Sequence, residues 1–556
     1  MSSVTPAVLF ERHKALLDRA VEAIHTREYW TPYSESLRSY SEDAVKSAPE
    51  DFKALCNQHF SLAGPASVKK ITGERSPYGF DLGTSYDQPD MDQLVDDMHA
   101  VIPQWRDVGP KGRVGVCMEI LQRLNDMSPL MAHAVMHTSG QGFMMAFQAG
   151  APHAQDRALE AVVYGWDAMQ AIPETARWNK PQGKMDPLVM DKKFTIVPRG
   201  VAVVIGCSTF PTWNTYPGLF ASLVTGNPVI VKPHPAAILP AALTVKVAQE
   251  VLKEAGLNPM IVSLAVDTQA EPVAKVLAMN PKVKVIDYTG SSVFGNWLEQ
   301  NALQAKVFTE KAGVNSIIVD SVSDLKAVTR NLAFTLSLYS GQMCTTTQAI
   351  YVPKDGIDTP EGKVSFDEFA QALATATSKF LSDNDRACMV LGAIQSEATA
   401  ERINECRKLG EVVLESESRT HAEFPNARIR TPLILKVDGK DQATYAEERF
   451  GPISFLIATE STDDSMRLAN QVISEQGAIT LGVYSTSDAV LDQAEALALE
   501  VKVALSCNLD GGVFVNQSAA FSDFHATGGN PAANACLTDT AFLVSRFVVV
   551  QSRRHV

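Results

Sequence analysis

The chain has 556 residues, of which 46% are apolar and 20% charged, a composition that predicts a globular protein of more than one domain. Its formal net charge of −14 argues against nucleic acid or an anionic membrane as the main partner. No apolar run approaches the length of a membrane span and the N-terminus has no signal pattern, so the sequence predicts a cytoplasmic protein.

The eight cysteines are scattered and contain no Cys-x-x-Cys pair, which is typical of free thiols in a reducing compartment. The 11 histidines form no clear metal-ligand cluster with them, and the sequence predicts no metal site.

Residues 1–85 predict a mainly helical extension that packs against the main body. Apolar residues recur there at helical spacing among charged ones, namely Val8, Leu9, Leu16, Leu17, Val21 and Ile24. The apolar spacing from residue 91 to 171 predicts further helices. Their apolar residues are typical of packing in the core, and no catalytic or binding role is predicted for them.

After residue 193 strand-like and helix-like segments alternate, which predicts an α/β fold with a parallel sheet covered on both faces. A helical segment covers residues 236–255. The strand-like segments are 194–197, 201–205, 229–231, 261–264 and 283–287. Ligands of such sheets bind beyond the carboxyl ends of the strands.

A second alternating region begins near Asn315 and predicts a second α/β domain. Its helices are predicted up to Tyr339 and at 366–380 and 397–408, and its strands at 349–352, 453–457 and 479–484. The β-branched segment 542–550 near the C-terminus predicts a final strand that needs a partner to cover it.

Three loops at predicted strand ends carry small polar residues. They are 206–214, 225–235 with Lys232 at the end of a strand, and 287–295 ahead of a helix. Helix-terminal amides with a serine hydroxyl bind phosphate well, although each loop alone is equally compatible with an ordinary turn.

The stretch 308–348 holds one carboxylate, Glu310, and one cysteine, Cys344, in a small polar turn flanked by glycine. A thiol placed this way is a candidate nucleophile, and a nearby carboxylate is a candidate base. Most buried cysteines are inert, so this pair alone decides nothing.

Taken together and in order, these stretches resemble the aldehyde dehydrogenase superfamily over about residues 90–550. The resemblance is carried by Gly-Asn-Pro-Val-Ile-Val-Lys-Pro at 226–233, Thr-Gly-Ser at 289–291, Glu310 with Gly-Gln-Met-Cys at 341–344, Glu-Glu-Arg-Phe-Gly-Pro at 447–452, and Val515-Asn516 with Thr-Gly-Gly-Asn at 527–530. Residues 206–214, 232–235 and 341–345 and the long N-terminal segment are most similar to the PaaN branch, the aldehyde dehydrogenases of phenylacetic acid degradation.

The resemblance implies a Rossmann-type parallel-sheet cofactor domain, an α/β catalytic domain and a small β oligomerisation arm. The cofactor domain is expected at 86–312, with 185–200 contributing to the arm. The catalytic domain is expected at 313–518, and 519–556 should return to the cofactor domain and supply the last arm strand. A homodimer or homotetramer follows from the same resemblance.

The resemblance also implies that Cys344 attacks an aldehyde, that a thioester forms, and that Glu310 activates water to release a carboxylic acid. The implied cofactor-binding residues are Ser208, Lys232, His234, Pro235, Thr289, Gly290, Ser291, Gly295, Glu448 and Phe450. Among these, Ser291 is expected at the pyrophosphate, and Glu448 and Phe450 at the nicotinamide ribose and ring.

Two positions depart from the family pattern. Thr209 stands where an oxyanion-binding asparagine is usual, so either Thr209, Asn214 or a backbone amide completes that site. Pro235 stands where NAD-preferring members often carry a glutamate. With no carboxylate to repel a 2′-phosphate and Lys232 to attract it, NADP is the predicted preference and NAD the alternative.

The predicted substrate is a small aldehyde, free or linked to coenzyme A, in the form of a semialdehyde of aromatic catabolism. Two other readings stay open. One is a catalytically weak homologue that binds nucleotide or scaffolds a pathway, and the other is a coenzyme A-acylating dehydrogenase, which Glu310 disfavours.

Overall fold

The computed structural model of the protein describes residues 4–515 and 520–556. Within these residues, none of the helices combines the length and the apolar character that crossing a membrane requires.

The N-terminal part is a helical layer with a small sheet at its end. It contains α1 (Pro6–Thr26), α2 (Glu42–Leu55), β1 (His59–Phe60), β2 (Ser67–Ile71) and β3 (Ser85–Pro89). Thr5 begins α1, because its side-chain oxygen accepts a hydrogen bond from the Val8 amide. The sheet, in the order β1-β3-β2, was not part of the sequence prediction.

Helices continue through the next part of the chain. They are α3 (Met91–Ala100), α4 (Ile102–Asp107), α5 (Gly109–Asp126), α6 (Ser128–Ser139), α7 (Phe143–Gly150) and α8 (Pro152–Gln170). Helix α1 packs on α5 and α8. Leu9, Leu17 and Ile24 are buried in this contact, whereas Val8 is 49% exposed and lies off the predicted apolar face.

The first large sheet has five parallel strands in the order β10-β9-β6-β7-β8. Its elements are β6 (Val201–Ile205), α9 (Tyr216–Val224), β7 (Val229–Lys232), α10 (Leu239–Glu254), β8 (Val262–Leu264), α11 (Ala274–Met279), β9 (Val283–Thr289), α12 (Ser292–Asn301) and β10 (Lys306–Glu310). The strand order reverses beside β6, so the loops after β6, β7 and β9 open on one crevice.

The second large sheet has seven strands in the order β15-β18-β19-β12-β11-β20-β21, and β15 alone among them is antiparallel to its neighbour. Its part of the chain contains β11 (Ser316–Val319), α13 (Leu325–Ser337), β12 (Ala349–Pro353), β13 (Ile357–Thr359), β14 (Gly362–Val364), α14 (Phe366–Phe380), α15 (Asn384–Leu391), α16 (Glu397–Cys406), β15 (Glu411–Leu414), β16 (Ser418–Arg419), β17 (Ile429–Arg430), β18 (Leu433–Asp438), α17 (Gln442–Tyr445), β19 (Ile453–Thr459), α18 (Thr462–Gln476), β20 (Thr480–Tyr484), α19 (Asp488–Val501) and β21 (Ala504–Cys507).

The chain passes from the first sheet to the second between Glu310 and Ser316, where the predicted boundary at 312/313 lies. The other predicted boundary, 518/519, falls outside the described residues. Beyond it, the Arg546 guanidinium donates to both oxygens of Asp287 on β9, with Nη1 2.7 Å from Oδ2, and this buried pair fixes the C-terminal segment to the first sheet.

The C-terminal strand begins later than the sequence pattern predicts. Thr540–Val544 forms helix α20, because the Asp539 carboxylate accepts a hydrogen bond from the Phe542 amide and caps it. The last strand, β22 (Phe547–His555), pairs with β5 (Met185–Pro198), which pairs with β4 (Thr175–Gln182). This three-stranded arm exposes most of its side chains.

Candidate active site

A cavity of about 610 Å³ lies between the carboxyl ends of the first sheet and the loops of the second. Twelve predicted site residues line it, namely Ser208, Thr209, Asn214, Lys232, His234, Thr289, Gly290, Ser291, Glu310, Cys344, Glu448 and Phe450. The cavity therefore joins the predicted nucleotide loops to the predicted thiol and base. It also suits a dinucleotide, since pockets that bind cofactors are of this size.

Pro235 and Gly295 do not line this cavity, and their predicted contact with a cofactor is not supported by their positions. Pro235 lies inside the turn that His234 closes by accepting a hydrogen bond from the Ala236 amide at 3.1 Å. Gly295 lies within α12, where a Cβ would come within 2.6 Å of the Lys311 side chain. The absence of a side chain at Gly295 allows α12 to pack closely against Lys311.

Cys344 follows a tight left-handed turn. Tyr339, Ser340 and Gly341 have φ angles of 52°, 49° and 62°, so the chain reverses sharply after α13. At Gly341 a Cβ would lie 2.5 Å from the Gly451 carbonyl oxygen, which only glycine avoids. The Ser340 hydroxyl fixes the turn by donating to the Leu391 and Arg430 carbonyls, each at 3.0 Å.

Asn315 holds the other side of the cysteine loop. Its Nδ2 donates to the Cys344 carbonyl at 2.7 Å and to the Thr346 carbonyl at 3.0 Å. Its Oδ1 accepts from the Ile479 and Thr480 amides at 3.0 and 3.1 Å. Asn315 is 2% exposed, and this one side chain ties the cysteine loop to the start of β20 with four hydrogen bonds, of which the two to the Ile479 and Thr480 amides are buried.

Replacing Asn315 with alanine is expected to lower kcat at least about tenfold, because the position of the thiol then drifts from the reacting geometry. The melting temperature should also fall, since four buried polar groups lose their partner. Steady-state kinetics and thermal melting check both effects. Asn125→Ala is the matched control, because Asn125 bonds to Tyr40 and Gln155 away from the cavity, and this variant should melt earlier with kcat unchanged. An unchanged kcat in Asn315→Ala would contradict the positioning role.

Glu310 ends β10 and points into the same cavity. It is 2% exposed, and its Oε2 accepts a hydrogen bond from Asn214 Nδ2 at 3.3 Å. Burial alone would raise the pKa of this carboxyl, but the charge and hydrogen bonding of His525 bring it below its usual value. Glu310 is therefore an ionised carboxylate at neutral pH.

His525 is a site residue that the sequence reasoning missed. Its Nε2 lies 3.2 Å from Glu310 Oε1 and 3.9 Å from Cys344 Sγ, and the three atoms lie within 4.8 Å of one another. We call Glu310, Cys344 and His525 the thiol cluster. The available signal was its position two residues before Thr527-Gly528-Gly529, the stretch that resembles the family's closing loop. Asn516, the other predicted part of that loop, lies outside the described residues.

The Cys344 thiol is poorly ionised on its own. Its burial raises the pKa well above the usual value, and the neighbouring Glu310 carboxylate raises it further. A nucleophilic role for this sulfur therefore requires a base that removes its proton.

Thr209 and Asn214, the two candidate oxyanion donors, make different contacts. Thr209 Oγ1 lies 3.9 Å from Cys207 Sγ, at the edge of a weak hydrogen bond. Asn214 is buried, lines the cavity, and donates its amide nitrogen to Glu310 Oε2 at 3.3 Å. Asn214 thus contacts Glu310. Neither Thr209 nor Asn214 makes a contact that identifies it as the oxyanion donor.

The nucleotide end of the cavity lies at the start of α12. The Ser291 side chain caps this ten-residue helix by accepting from the Phe294 amide, and Tyr288 donates its hydroxyl to the Ser291 carbonyl at 2.9 Å. Free helix-terminal amides and the Ser291 hydroxyl suit a pyrophosphate.

Lys232 at the end of β7 does not carry a free charge. Its Nζ lies 2.7 Å from Asp267 Oδ1, and both side chains are buried. Asp267 follows β8, and its other oxygen accepts a hydrogen bond from the Val273 amide at 3.0 Å. The premise that no carboxylate lies near Lys232 was therefore wrong, because the neighbouring strand supplies one that the local sequence around Pro235 does not reveal.

Glu448 and Phe450 line the cavity on the side of the second sheet. Burial raises the pKa of Glu448 to about 7. Gln348 holds their loop, because its Nε2 donates to the Tyr445 and Glu447 carbonyls at 3.0 and 2.9 Å.

Comparison with known proteins decides the family. The sequence model of the aldehyde dehydrogenase family matches residues 83–530. The chain belongs to the aldehyde dehydrogenase family. An aldehyde dehydrogenase oxidises aldehydes.

Individual relatives agree with this assignment. The crystal structure of an NAD-dependent aldehyde dehydrogenase from Burkholderia multivorans is 54% identical, with a TM-score of 0.97 over 99% of both chains. A lactaldehyde dehydrogenase of Methanococcus maripaludis is 24% identical over 428 residues, covering 75% of this dehydrogenase and 81% of that protein. A Thermus 1-pyrroline-5-carboxylate dehydrogenase, 17% identical with a TM-score of 0.74 over 95% and 99% of the two chains, shares the fold.

Proposed function

We propose that this dehydrogenase oxidises an aldehyde to a carboxylic acid, with Cys344 as the nucleophile and Glu310 as the base for hydrolysis. The observation that carries the proposal is that Cys344 and Glu310, two members of the thiol cluster, line the same cavity as Lys232, Thr289, Gly290 and Ser291. A bound nicotinamide dinucleotide supplies the hydride acceptor in this chemistry.

In the first half-reaction Cys344 Sγ forms a bond to the aldehyde carbon and gives a thiohemiacetal. Loss of hydride from that carbon leaves a thioester on Cys344. In the second half-reaction Glu310 removes a proton from water, the water oxygen bonds to the acyl carbon, and the C–S bond breaks. Glu310 lines the same cavity as Cys344, so a water molecule there can reach its carboxylate.

NAD is the cofactor that the Lys232 environment favours. Asp267 neutralises Lys232, and a 2′-phosphate beside this pair would meet a carboxylate as well as a cation. The earlier preference for NADP, which assumed an unpaired Lys232, becomes the competing outcome. The 54% identical relative is described as NAD-dependent, which agrees with this choice.

Replacing Asp267 with asparagine is expected to raise the ratio of kcat/KM with NADP to kcat/KM with NAD about tenfold, because Lys232 then faces the 2′-phosphate without its counter-ion. Steady-state kinetics with both cofactors at neutral pH check this ratio. Asp96→Asn removes a similar lysine partner from the surface pair with Lys282 and should leave the ratio unchanged. A wild-type preference for NADP would contradict the proposed role of Asp267.

The substrate class rests on the resemblance of particular stretches to the PaaN branch. We propose a semialdehyde of aromatic catabolism, free or linked to coenzyme A, oxidised in the cytoplasm. Absorbance of reduced cofactor with a panel of free and coenzyme A-linked aldehydes, followed by product analysis, tests the proposal. An acid product supports it, and a thioester product would indicate acyl transfer to coenzyme A. Intact nucleotide binding without turnover of any aldehyde would favour a nucleotide-binding homologue.

We propose that the arm of β4, β5 and β22 joins subunits into a dimer or tetramer. Val548, Val549 and Val550 are 38%, 41% and 52% exposed in the single chain, although they are apolar. A monomer in analytical ultracentrifugation would contradict this role.

A further inference from the structure

The thiol cluster brings together three different atoms that bind metal ions well. Cys344 Sγ, a carboxylate oxygen of Glu310 and a ring nitrogen of His525 all lie within 4.8 Å of one another. They come from the turn after α13, the end of β10 and the loop before α20. Because these segments are far apart in the chain, no ligand spacing marked them, and the sequence predicted no metal site.

The distances in the cluster fit a tetrahedral zinc ion. Around such an ion a nitrogen and an oxygen ligand lie about 3.3 Å apart, and a nitrogen and a sulfur ligand about 3.5 Å apart. His525 Nε2 is 3.2 Å from Glu310 Oε1 and 3.9 Å from Cys344 Sγ. The first separation already matches, and rotation of the Cys344 side chain closes the remaining gap of about 0.4 Å.

The protein holds the imidazole firmly. The His525 amide donates to the Leu537 carbonyl at 3.2 Å, and the Leu537 amide donates to the His525 carbonyl at 2.9 Å. The Trp213 ring packs against the imidazole edge-on, with ring centroids 4.7 Å apart. His525 is 8% exposed, so the ring has little room to turn away from the cluster.

The other two ligands are tied to the same framework. The Lys311 amide, next to Glu310, donates at 2.6 Å to the carbonyl of Ala532 in the loop that carries the imidazole. Asn315 Nδ2 donates to the Cys344 carbonyl at 2.7 Å. The three ligands are therefore placed before any ion binds, which lowers the cost of binding one.

The charges around the sulfur favour a cation at this place. Burial and then Glu310, Cys207 and Glu448 raise the pKa of the Cys344 thiol. These neighbours act against a second negative charge beside the Glu310 carboxylate, and a divalent cation between sulfur and carboxylate offsets that repulsion.

We propose that Cys344, Glu310 and His525 form an inhibitory Zn²⁺ site, with a water molecule of the cavity as the fourth ligand. Thiolate and imidazole select zinc, whereas magnesium and calcium bind through oxygen ligands. The cavity is the entry path, because Cys344 and Glu310 line it.

Zinc at this site stops both half-reactions, because it occupies the nucleophile and the base together. This inhibition rests on the proposed function. In the metal-free enzyme the proton on His525 Nε2 lies between the ring and the Glu310 carboxylate, and the metal takes its place. The imidazole then carries its proton on Nδ1, and the thiol proton leaves to solvent as the Zn–S bond forms. Zinc does not change its oxidation state, so a chelator reverses the inhibition.

Titration of the full-length enzyme with ZnCl₂ after dialysis against EDTA tests the site, with a fluorescent zinc chelator as the competitor. One tightly bound zinc per chain is expected, with aldehyde oxidation lost over the same concentration range and restored by EDTA. His525→Gln should weaken zinc binding about 100-fold or more, since residues that only orient a metal ligand already contribute on the order of 10- to 100-fold.

Two further variants sharpen the result. His525→Cys replaces one zinc ligand with another and should keep the affinity for zinc within about tenfold of wild type. His153→Gln is the matched control, because His153 pairs with Glu35 at 2.8 Å in a histidine–carboxylate contact outside the cavity. Its affinity for zinc should match wild type. Equal affinity in His525→Gln and wild type would overturn the proposal, as would inhibition that needs zinc in large excess over the enzyme.

Cobalt supplies an independent measurement on wild-type protein if His525→Gln does not fold. Co²⁺ bound in place of zinc should give a thiolate-to-cobalt charge-transfer band in the near ultraviolet. Cys344→Ser should lose the band, and Cys507→Ser, which removes an exposed thiol, should keep it. A wild-type spectrum without the band would overturn the site. Failure of the proposed function would show differently, as absence of aldehyde oxidation in metal-free wild type with the cobalt band intact.

Discussion

Replacement of Cys344 by serine is expected to lower the rate of aldehyde oxidation by roughly 10⁴-fold or more. The serine hydroxyl ionises far less readily than a thiol, so it is a much poorer nucleophile at neutral pH. The first turnover, measured as the absorbance of reduced cofactor in stopped flow, should disappear with the steady-state rate, because no thiohemiacetal forms. Binding of the oxidised cofactor should persist, since Cys344 lies at the other end of the cavity from Ser291.

Cys507→Ser is the control for this experiment, because Cys507 is exposed on β21 and outside the cavity. Cys207 is the alternative candidate nucleophile, since it also lines the cavity and its Sγ lies 3.6 Å from Asn214 Oδ1. Loss of activity in Cys207→Ser with activity retained in Cys344→Ser would show that the nucleophile had been assigned to the wrong thiol.

The fold and the two central residues were accessible from sequence, because they depend on local patterns. The alternation of strands and helices predicted both sheets, and the Gly-Gln-Met-Cys turn and Glu310 stand in family order. The strand β4 escaped prediction because its side chains are almost all exposed, so it has no alternation of apolar and polar residues. The start of β22 was misplaced because one capping side chain, Asp539, converts an apolar segment into a helix.

The site residues that the sequence prediction missed were missed for a different reason. His525 reaches Cys344 across 181 positions of sequence, and Asp267 reaches Lys232 from the neighbouring strand. Neither contact leaves a spacing that can be read along the chain, because strand order and loop placement decide it. Asn315 is similar, since its four hydrogen bonds join the cysteine loop to β20. The sequence alone identified Cys344 as the candidate nucleophile, whereas only the tertiary structure showed which residues surround it.

Replacement of Glu310 by glutamine is expected to separate the two half-reactions. The first turnover of cofactor should persist, whereas steady-state turnover should fall about 10²- to 10³-fold, because no carboxylate remains to deprotonate water. An acyl group should then accumulate on Cys344 and appear as added mass on the peptide that contains it. Hydroxylamine, which attacks thioesters without needing a base, should release that acyl group as a hydroxamate.

The acidic limb of the pH profile gives a second readout of the same group. His525 holds the pKa of Glu310 below its usual value, so wild-type hydrolysis should weaken only as pH falls through that lowered pKa. Glutamine does not titrate, so the rate of hydrolysis by the variant should not decline over this acidic range. The control Glu254→Gln removes a half-exposed partner of Arg123, and it should keep both the wild-type turnover and the wild-type decline at acidic pH.

The rate of the first turnover then tells two possible roles of Glu310 apart. If Glu310 is only the base for water, the first turnover in Glu310→Gln should match wild type in rate. If it also accepts the proton of the Cys344 thiol, that first turnover should slow while still reaching full amplitude, because the thiol then loses the carboxylate beside it. A first turnover of reduced amplitude would contradict both roles.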